Sequence, residues 1–456
     1  MELDPACFEA SRQLASLLLS RGDFDQAEYF SRRALSIRPA AAAAHNNLGN
    51  ALKHLGRREE AAAAYRDALK ADPQLAEAHF GLAICLHESE QFEQAKAHYS
   101  SALRFRPDLA DPWHNLGILL EQQDDVDGAL EHYLRAISLR PDSAAIHLNY
   151  AMQLLARGDF EAGWEEYEWR WRLPESRASE AFIDRPRWDG SMPRGRTILL
   201  FAEQGFGDAI QFSRYAREVS ERGARVLLKC PPKLKSLFQS SFAGIAVIAD
   251  GERVPAFDCA CPLMSLPRLF GTRVETIPAA TPYLQADARR TEYWKRKIAD
   301  RDAALKIGLF WATDNPAKSM EFEHLAPLAR IPGVCYYSLQ KGAAAKRAAQ
   351  LPAGIDLMDY GGELRDFSDD AALIMNLDLV ISVDTATAHL AGALGRPVWT
   401  LTHFPADWRW LRGRQASPWY PTMRLFRQAR LHDWSNLMQV VAGELRRLVS
   451  PGGHGS

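Results

Sequence analysis

The spacing of hydrophobic and polar residues changes once along this chain. Up to about residue 172, apolar and small residues return at helical spacing, and the whole pattern repeats after 34 positions. After residue 196 the hydrophobic residues are grouped in short runs that predict buried strands, and helical spacing follows most of these runs. The pattern predicts a helical first part and a second part in which strands and helices alternate.

The 34-residue period is clearest in two kinds of residue. These are the prolines Pro39, Pro73, Pro107 and Pro141, and the tyrosines Tyr65, Tyr99 and Tyr133. Such a period is typical of the tetratricopeptide repeat, a helix–turn–helix unit. Small residues such as Gly49 and Ala61 let two helices approach, a tyrosine fills the gap, and the proline ends the second helix. We predict about five repeats, beginning near residues 8, 42, 76, 110 and 144, in an α-solenoid over residues 8–172.

The last predicted repeat ends in a segment that is unusually rich in aromatic residues. Trp164, Trp169 and Trp171 lie close together there, where a terminal repeat would normally present polar residues. One interpretation is a hydrophobic cap on the solenoid. The interpretation that we favour is that these rings dock the solenoid onto the following domain.

One position in the first helix of each repeat carries a carboxamide in several repeats. Asn47, Asn115 and Asn149 share this position, with Gly81 interrupting the series and Gln13 in the first repeat. Residues of the first helix tend to line the concave groove of such solenoids, and a carboxamide offers both a donor and an acceptor to an extended peptide. We therefore predict an acceptor groove along Asn47, Asn115 and Asn149. The alternative is that asparagine is merely common in this repeat.

The second part of the chain divides into two parallel α/β lobes. We predict a linker at 173–196, a first lobe at 197–286, a linker helix at 287–304, and a second lobe with a closing helix at 305–448. The closing helix, about 432–448, could cross back to the first lobe. The tail at 449–456 is expected to be disordered.

A turn after one of these strands has the composition of an anion-binding site. Residues 382–389, SVDTATAH, lead from a buried strand into a helix whose first amides have no partner within the helix. We predict that a diphosphate binds here, with donor-binding contacts from Ser382, Asp384, Thr385, Ala386, Thr387 and His389. Alternatively, Asp384 caps the helix and His389 is a core histidine.

Two further loops complete the predicted site, because ligands of open α/β sheets bind outside the carboxyl ends of the strands. In WATDNPAKS, Lys318 could neutralise a departing diphosphate, and Trp311 and Asn315 could contact a base or sugar. The alternatives are a surface lysine and a packing tryptophan.

The glycine turn EQGFGDA presents Asp208 after Gly205 and Gly207. Asp208 is a candidate general base, and a helix N-cap is the alternative. A dinucleotide fingerprint is rejected, because Ile210 stands in place of its third glycine.

Composition narrows the range of partners. The net charge of −2 gives no reason to expect nucleic acid, and no apolar run is long enough to span a membrane. The acidic N-terminus and six scattered cysteines without a CxxC pair favour a cytoplasmic protein with reduced thiols. No metal-ligand spacing appears, so we expect no metal and no cofactor, and a leaving diphosphate would be stabilised by amides and cations.

The same residues resemble known glycosyltransferases. Residues 197–430 resemble the two-lobed GT-B (double Rossmann-like) fold, and GD at 207–208 and DTATAHLAGALGRP at 384–397 resemble the heptosyltransferases that use ADP-heptose. Together with the repeats, the chain is similar to O-GlcNAc transferases and to bacterial repeat-bearing glycosyltransferases. The resemblance implies that Asp208 is the base, that Lys318 contacts phosphate, and that Asp384, Thr385 and His389 form the donor loop. Ala386 stands where the family has glycine.

These observations lead to one main hypothesis with two alternatives. We expect a metal-independent inverting glycosyltransferase that uses a nucleotide-sugar and a protein or peptide acceptor selected by the repeats. The first alternative is a repeat scaffold for protein interaction whose α/β half binds but no longer catalyses. The second is a heptosyltransferase-like enzyme acting on a glycan or lipopolysaccharide; the absence of a basic amphipathic membrane face counts mildly against it.

Overall fold

The computed structural model describes residues 8–174, 185–298, 305–329, 331–347 and 355–449. The chain divides into two compact units, Met1–Gln153 and Leu154–Ser456. The predicted tail lies outside the described residues from 450 onwards, as do parts of the two predicted linkers, at 175–184 and 299–304.

The first unit consists of paired helices. Two further helices complete the series: α9 crosses into the second unit, and α10 lies within it. The bounds are α1 Phe8–Arg21, α2 Phe24–Ile37, α3 Ala42–His54, α4 Arg58–Ala71, α5 Ala76–Glu88, α6 Phe92–Phe105, α7 Ala110–Gln122, α8 Val126–Leu139, α9 Ala144–Arg157 and α10 Phe160–Tyr167. The starts of the odd-numbered helices therefore coincide with the five predicted repeat starts.

Contacts around Tyr65 show why the repeat needs small residues. A Cβ atom added at Gly49 would lie 2.6 Å from the Tyr65 ring, and one added at Gly81, in the next repeat, would lie 2.3 Å from it. The ring is fully buried, and its hydroxyl donates a hydrogen bond of 2.7 Å to Asn50. The tyrosine therefore fills the space between neighbouring repeats, as the sequence predicts.

A second periodic contact joins each turn to the helix that follows it. A ring nitrogen near the start of that helix lies 2.8–3.1 Å from the carbonyl oxygen of the repeat proline, in the pairs His45–Pro39, His79–Pro73, Trp113–Pro107 and His147–Pro141. Since the carbonyl can only accept, the ring nitrogen donates. Histidine and tryptophan can therefore replace each other here.

The second unit contains two parallel sheets. In its described part, the first sheet has the order β3-β2-β1-β4 and the second the order β10-β9-β8-β5-β6-β7. The strands are β1 Thr197–Phe201, β2 Arg225–Cys230, β3 Ala246–Ala249, β4 Cys259–Pro262, β5 Leu305–Phe310, β6 Val334–Ser338, β7 Leu357–Asp359, β8 Leu379–Val383, β9 Val398–Thr402 and β10 Met423–Arg427. Helical repeats followed by two parallel α/β lobes confirm the predicted fold class.

Helices connect these strands. They are α11 Phe206–Phe212, α12 Tyr215–Glu221, α13 Pro232–Ser241, α14 Leu266–Leu269, α15 Ala288–Lys297, α16 Ala343–Arg347, α17 Phe367–Ile374, α18 Ala386–Ala393 and α19 Trp434–Val449. Two of them, α11 and α12, are short and follow each other within residues 206–221.

The closing helix α19 packs on the second sheet. Its buried face, which includes Leu437, Met438 and Val441, belongs to the same hydrophobic cluster as Ile307 and Ile381 of the central strands. The expectation that this helix crosses back to the first lobe is therefore wrong. The second sheet covers the apolar face that would have driven such a crossing.

The aromatic helix α10 belongs to the second unit, although the predicted solenoid extends to residue 172. The Trp164 indole donates a hydrogen bond of 3.2 Å to the carbonyl of Thr272, and its ring lies edge-on to Trp408 with centroids 5.4 Å apart. Trp171 packs against Phe201 of β1. The division between the compact units lies between Gln153 and Leu154, so the second half of the fifth repeat is built into the α/β unit.

The state of the cysteines and the hydropathy of the helices relate to the expectations drawn from composition. The described cysteines are buried free thiols, namely Cys85, Cys230, Cys259, Cys261 and Cys335. Among the described residues, no helix combines the length and the hydropathy required to cross a membrane.

Candidate functional site

A cavity of about 890 Å³ opens where loops follow the strands of both sheets. Its wall includes Gly205, Phe206 and Gly207 after β1 and Lys233 after β2. The second sheet contributes residues that follow β5, β6, β7 and β8, including Trp311–Pro316, Gln340–Ala344, Phe367, Asp370 and Asp384–Thr387. In the described part of the chain, no group of three or more His, Cys, Asp or Glu side chains is placed to hold a metal ion.

The loop at 384–387 joins β8 to the first turn of α18. Thr385 is the N-cap, and its hydroxyl oxygen accepts a hydrogen bond of 3.2 Å from the Thr387 amide. The hydroxyl of Ser382, in β8, lies 3.1 Å from that of Thr385 and donates to the Val383 carbonyl. The alternative that Asp384 caps this helix is wrong, because Thr385 occupies the cap position and leaves the Asp384 carboxylate for another contact.

That carboxylate begins a chain of ion pairs. Lys318 Nζ lies 2.7 Å from Asp384 Oδ2 and 3.3 Å from Asp407 Oδ2. The other oxygen of Asp407 lies 2.9 Å from Arg409 Nη1, and Arg409 Nη2 contacts Asp208 Oδ1. The candidate base, the candidate phosphate-contacting lysine and the donor-loop aspartate are therefore joined through two residues, Asp407 and Arg409, that no sequence pattern indicates.

The electrostatics of this series of ion pairs favour the charged forms of Lys318 and Asp407. Burial opposes the charge of Lys318, but Asp407 and Asp384 outweigh it and raise the lysine pKa above its usual value. Burial likewise opposes the charge on Asp407, yet Arg409 and Lys318 hold the pKa of that carboxyl well below its usual range. Opposite charges at short distances thus keep a buried set of ions ionised.

Asp208 is the third residue of α11. Its Oδ2 accepts a hydrogen bond of 3.2 Å from the Gly205 amide, and Gly205 is the N-cap of that helix. The alternative that Asp208 is itself the N-cap is therefore wrong. Its side chain remains 20% exposed.

His389 is a buried histidine in the first turn of α18. Its Nδ1 lies 2.9 Å from the Tyr420 hydroxyl, and its ring stacks on Trp410 with centroids 5.3 Å apart. Burial lowers its pKa to about 3, so the ring is neutral at physiological pH. A Cβ atom at Gly207 would lie 3.0 Å from the His389 ring. These contacts are those of the core histidine considered as the alternative, and they explain why position 207 is glycine.

Trp311 and Asn315, the two other predicted residues of the loop that carries Lys318, differ in exposure. The Trp311 ring is 1% exposed and packs against Phe322, as the packing alternative expects. Asn315 is exposed at the cavity, where its side-chain oxygen accepts a hydrogen bond of 3.0 Å from the Ala317 amide. Both residues belong to the cavity wall, but of the two it is Asn315 whose side chain is exposed to a ligand, whereas the Trp311 ring packs into the protein.

A second ion pair in the cavity wall was not predicted. Lys341 Nζ lies 2.7 Å from Asp370 Oδ2, and burial raises the pKa of the Asp370 carboxyl to about 6. Next to it, the Gln340 carboxamide accepts from the amides of Trp311 and Ala312. A polar run that directly follows a buried strand, SLQKG at 338–342, was the available signal.

The predicted acceptor residues in the first unit make contacts between repeats. The Asn47 amide donates a hydrogen bond of 3.3 Å to the Arg12 carbonyl, and the Asn149 amide lies 2.9 Å from a ring nitrogen of His114. Asn115 is half-buried on α7. The missing asparagine at Gly81 has a steric reason, because the Tyr65 ring occupies the space of its side chain.

Comparison with known proteins agrees with this architecture. Tetratricopeptide-repeat models match residues 12–76, 54–116 and 110–143, and the model of glycosyltransferase family 9 (heptosyltransferase) matches residues 279–407. The last match covers the second sheet from β5 to β9, including the donor loop. The chain carries tetratricopeptide repeats and a glycosyltransferase family 9 domain.

Individual proteins also match parts of this chain. Protein FlbA of Caulobacter vibrioides is 32% identical over 329 residues, which are 64% of this chain and 53% of that protein. This chain thus spans about half the length of that relative. Among solved structures, pilF of Pseudomonas aeruginosa is 25% identical with a TM-score of 0.34, covering 36% of this chain and 74% of that one. MamA of Desulfovibrio magneticus is 18% identical with a TM-score of 0.33, covering 40% and 99%.

Proposed function

We propose that this protein transfers a sugar, with inversion, from a nucleotide-sugar donor to an acceptor hydroxyl. The observation that carries the proposal is the cavity of about 890 Å³, which is walled by the glycine turn of one sheet and the donor loop of the other. Its volume falls within the roughly 300–1,000 Å³ that small-molecule sites occupy. The family match covers the loop that supplies the donor half of this wall.

In the proposed reaction Asp208 removes the proton from the acceptor hydroxyl. The oxygen then bonds to the anomeric carbon of the sugar while the bond from that carbon to the diphosphate breaks. The N-terminal amides of α18 and the positive charge of Lys318, behind the loop, stabilise the negative charge that develops on the leaving group. No metal ion or other cofactor is required in this proposal.

We further propose that the tetratricopeptide repeats select a protein or peptide acceptor. Repeats of this kind present an extended concave surface on which a chain can bind. The buried free thiols favour a reducing compartment, and we propose the cytoplasm.

Titration calorimetry and turnover with a panel of UDP-, GDP- and ADP-sugars test the proposal. We expect saturable binding of at least one donor and slow release of free sugar, both unchanged by EDTA. Asp208→Asn should keep donor binding but lose about 10²–10⁴-fold in turnover, the usual contribution of a general base. Asp250→Asn is the matched control, since Asp250 is half-exposed and pairs with Lys229.

Two results would count against the proposal. If no member of the panel binds, the α/β half is better described as part of a repeat scaffold. Wild-type turnover in Asp208→Asn would remove the role of Asp208 while leaving donor binding intact.

A further inference from the structure

The guanidinium of Arg409 is buried where helix α11 meets the segment that follows β9. Arg409 follows β9, and its side chain is 9% exposed. Its Nη1 lies 2.9 Å from Asp407 Oδ1, its Nε donates a hydrogen bond of 3.0 Å to Gln211 Oε1, and its Nη2 contacts Asp208 Oδ1. One planar cation therefore uses three of its nitrogens on three different side chains.

Two of these contacts, to Asp208 and Gln211, are made to one face of helix α11. Asp208 and Gln211 are three residues apart in α11, so their side chains lie next to each other on its surface. The guanidinium is a rigid fork, and bonding to both side chains fixes the rotation of α11 as well as its distance from the loop after β9. A lysine has a single charged atom and could not form both contacts in this geometry.

The third contact connects Arg409 to the donor side of the cavity. Asp407 bonds to Lys318, and Lys318 bonds to Asp384 at the start of the donor loop. Arg409 is itself fixed from behind, because its carbonyl accepts a hydrogen bond of 3.0 Å from the Trp419 indole. Arg409 does not line the cavity, so it would act on a bound substrate only through its neighbours.

We infer that Arg409 is a positioning residue that fixes the Asp208 carboxylate and the first turn of α11 relative to the donor loop. Its consequence for catalysis rests on the proposed function. The positioning itself is a property of the protein without substrate and can be measured independently.

Hydrogen–deuterium exchange of the full chain measures this positioning. In Arg409→Gln we expect amides of residues 205–212 to exchange about tenfold faster or more, while the first unit and the α19 region remain as in the wild type. Arg409→Lys should restore part of the protection. Arg424→Gln is the control, because Arg424 makes a more exposed ion pair with Glu444.

Two exchange results would overturn the inference. Unchanged exchange at 205–212 in Arg409→Gln would show that the arginine does not hold α11. Faster exchange throughout the second unit would show a general loss of stability instead of local positioning. If Arg409→Gln does not fold, Arg409→Lys is compared with the wild type by the same criterion.

Kinetics with an active donor then test the consequence. We expect Arg409→Gln to lower kcat by about tenfold or more while the KM for the donor stays within about twofold, because the general base is misplaced and the donor loop is not. A raised KM with unchanged kcat would make Arg409 a donor-binding residue and overturn the inference. If the wild type neither binds nor turns over any sugar nucleotide of the panel, the proposed function fails, and the exchange experiment still decides the positioning.

Discussion

Replacing Lys318 by methionine removes one charge from the middle of the ion-pair chain. The side chain of Lys318 is 25% exposed, and its two partners, Asp384 and Asp407, are 3% and 17% exposed. Methionine retains much of the apolar stem, so the substitution chiefly removes the ammonium group. Because Asp407 keeps its bond to Arg409, the cost falls mainly on the buried carboxylate of Asp384.

The magnitude follows from the burial of that carboxylate. Removing one partner of a buried ion pair costs about 3–5 kcal/mol, whereas exposed pairs contribute about 0–1 kcal/mol. Lys318 is partly exposed, and water can reach the site once its side chain is shortened. We therefore expect Lys318→Met to lower the free energy of unfolding of the second unit by about 2–4 kcal/mol. Loss of activity in this variant would then not by itself prove a catalytic role for Lys318.

Urea denaturation followed by tryptophan fluorescence measures this loss. Of the 12 tryptophans, all except Trp113 lie after residue 153, so the signal reports mainly on the second unit. Lys235→Met is the matched control, since Lys235 and its partner Glu252 are 29% and 45% exposed. The reasoning is refuted if Lys318→Met and Lys235→Met are equally stable, because Asp384 would then not depend on Lys318.

Two further predictions concern His389 and the glycine that faces it. Gly207→Ala should lower the free energy of unfolding by about 1–3 kcal/mol in urea denaturation, because the added methyl group presses on the His389 ring. In the control Gly443→Ala, whose methyl group lies in open space on α19, the same free energy should stay unchanged or rise by up to about 1 kcal/mol. A Gly207→Ala variant as stable as the wild type would contradict the contact. Since the pKa of His389 is about 3 in the folded protein, the unfolded chain binds its proton first as pH falls below about 6.5, and stability is lost down to about pH 3. Urea denaturation at several pH values in this range gives the slope of the free energy of unfolding against pH. This slope should be smaller than in the wild type by up to about 1.4 kcal/mol per pH unit in His389→Gln, and unchanged in the control His324→Gln. Equal slopes in the two variants would contradict the burial of a neutral ring.

The repeats could be predicted closely because their contacts are local and recur. Each ring such as Tyr65 meets a small residue at a fixed distance along the chain, so the 34-residue period records the packing directly. The repeat starts at 8, 42, 76, 110 and 144 accordingly match the starts of helices. The same regularity does not extend to α10, whose aromatic residues pack on the α/β unit instead of on a sixth repeat.

Elements at the edge of the second lobe were harder to predict. Strand β10, Met423–Arg427, was missed because its arginines interrupt the apolar run that marks the central strands. It lies at the end of its sheet, with β9 on one side and an isolated antiparallel bridge from Ala416 to Arg424 on the other. A strand at such an edge tolerates polar residues. Hydrophobic runs identify strands that are covered on both faces much more readily than strands at an edge.

The candidate site was predicted in part for a similar reason. Loops that follow strands can be read from the sequence, and such loops hold Gly205, Asn315 and Thr385 at the cavity. The ion-pair chain could not be read in this way, since Asp208 and Arg409 are 201 positions apart and the segment around Arg409 contains no motif. Contacts between charged side chains depend on how the two sheets face each other, which no local pattern records.

Ala386 illustrates how a departure from the family pattern can be compatible with the same geometry. In the heptosyltransferases that the donor loop resembles, this position is glycine, which removes the Cβ where two loops come close. In this protein the glycine at the close approach belongs to the other segment. A Cβ atom at Gly207 would lie 3.7 Å from Ala386 Cα and 3.0 Å from the His389 ring. The glycine that the approach of these two loops requires is therefore in the turn after β1, and a methyl group at position 386 does not keep the loops apart.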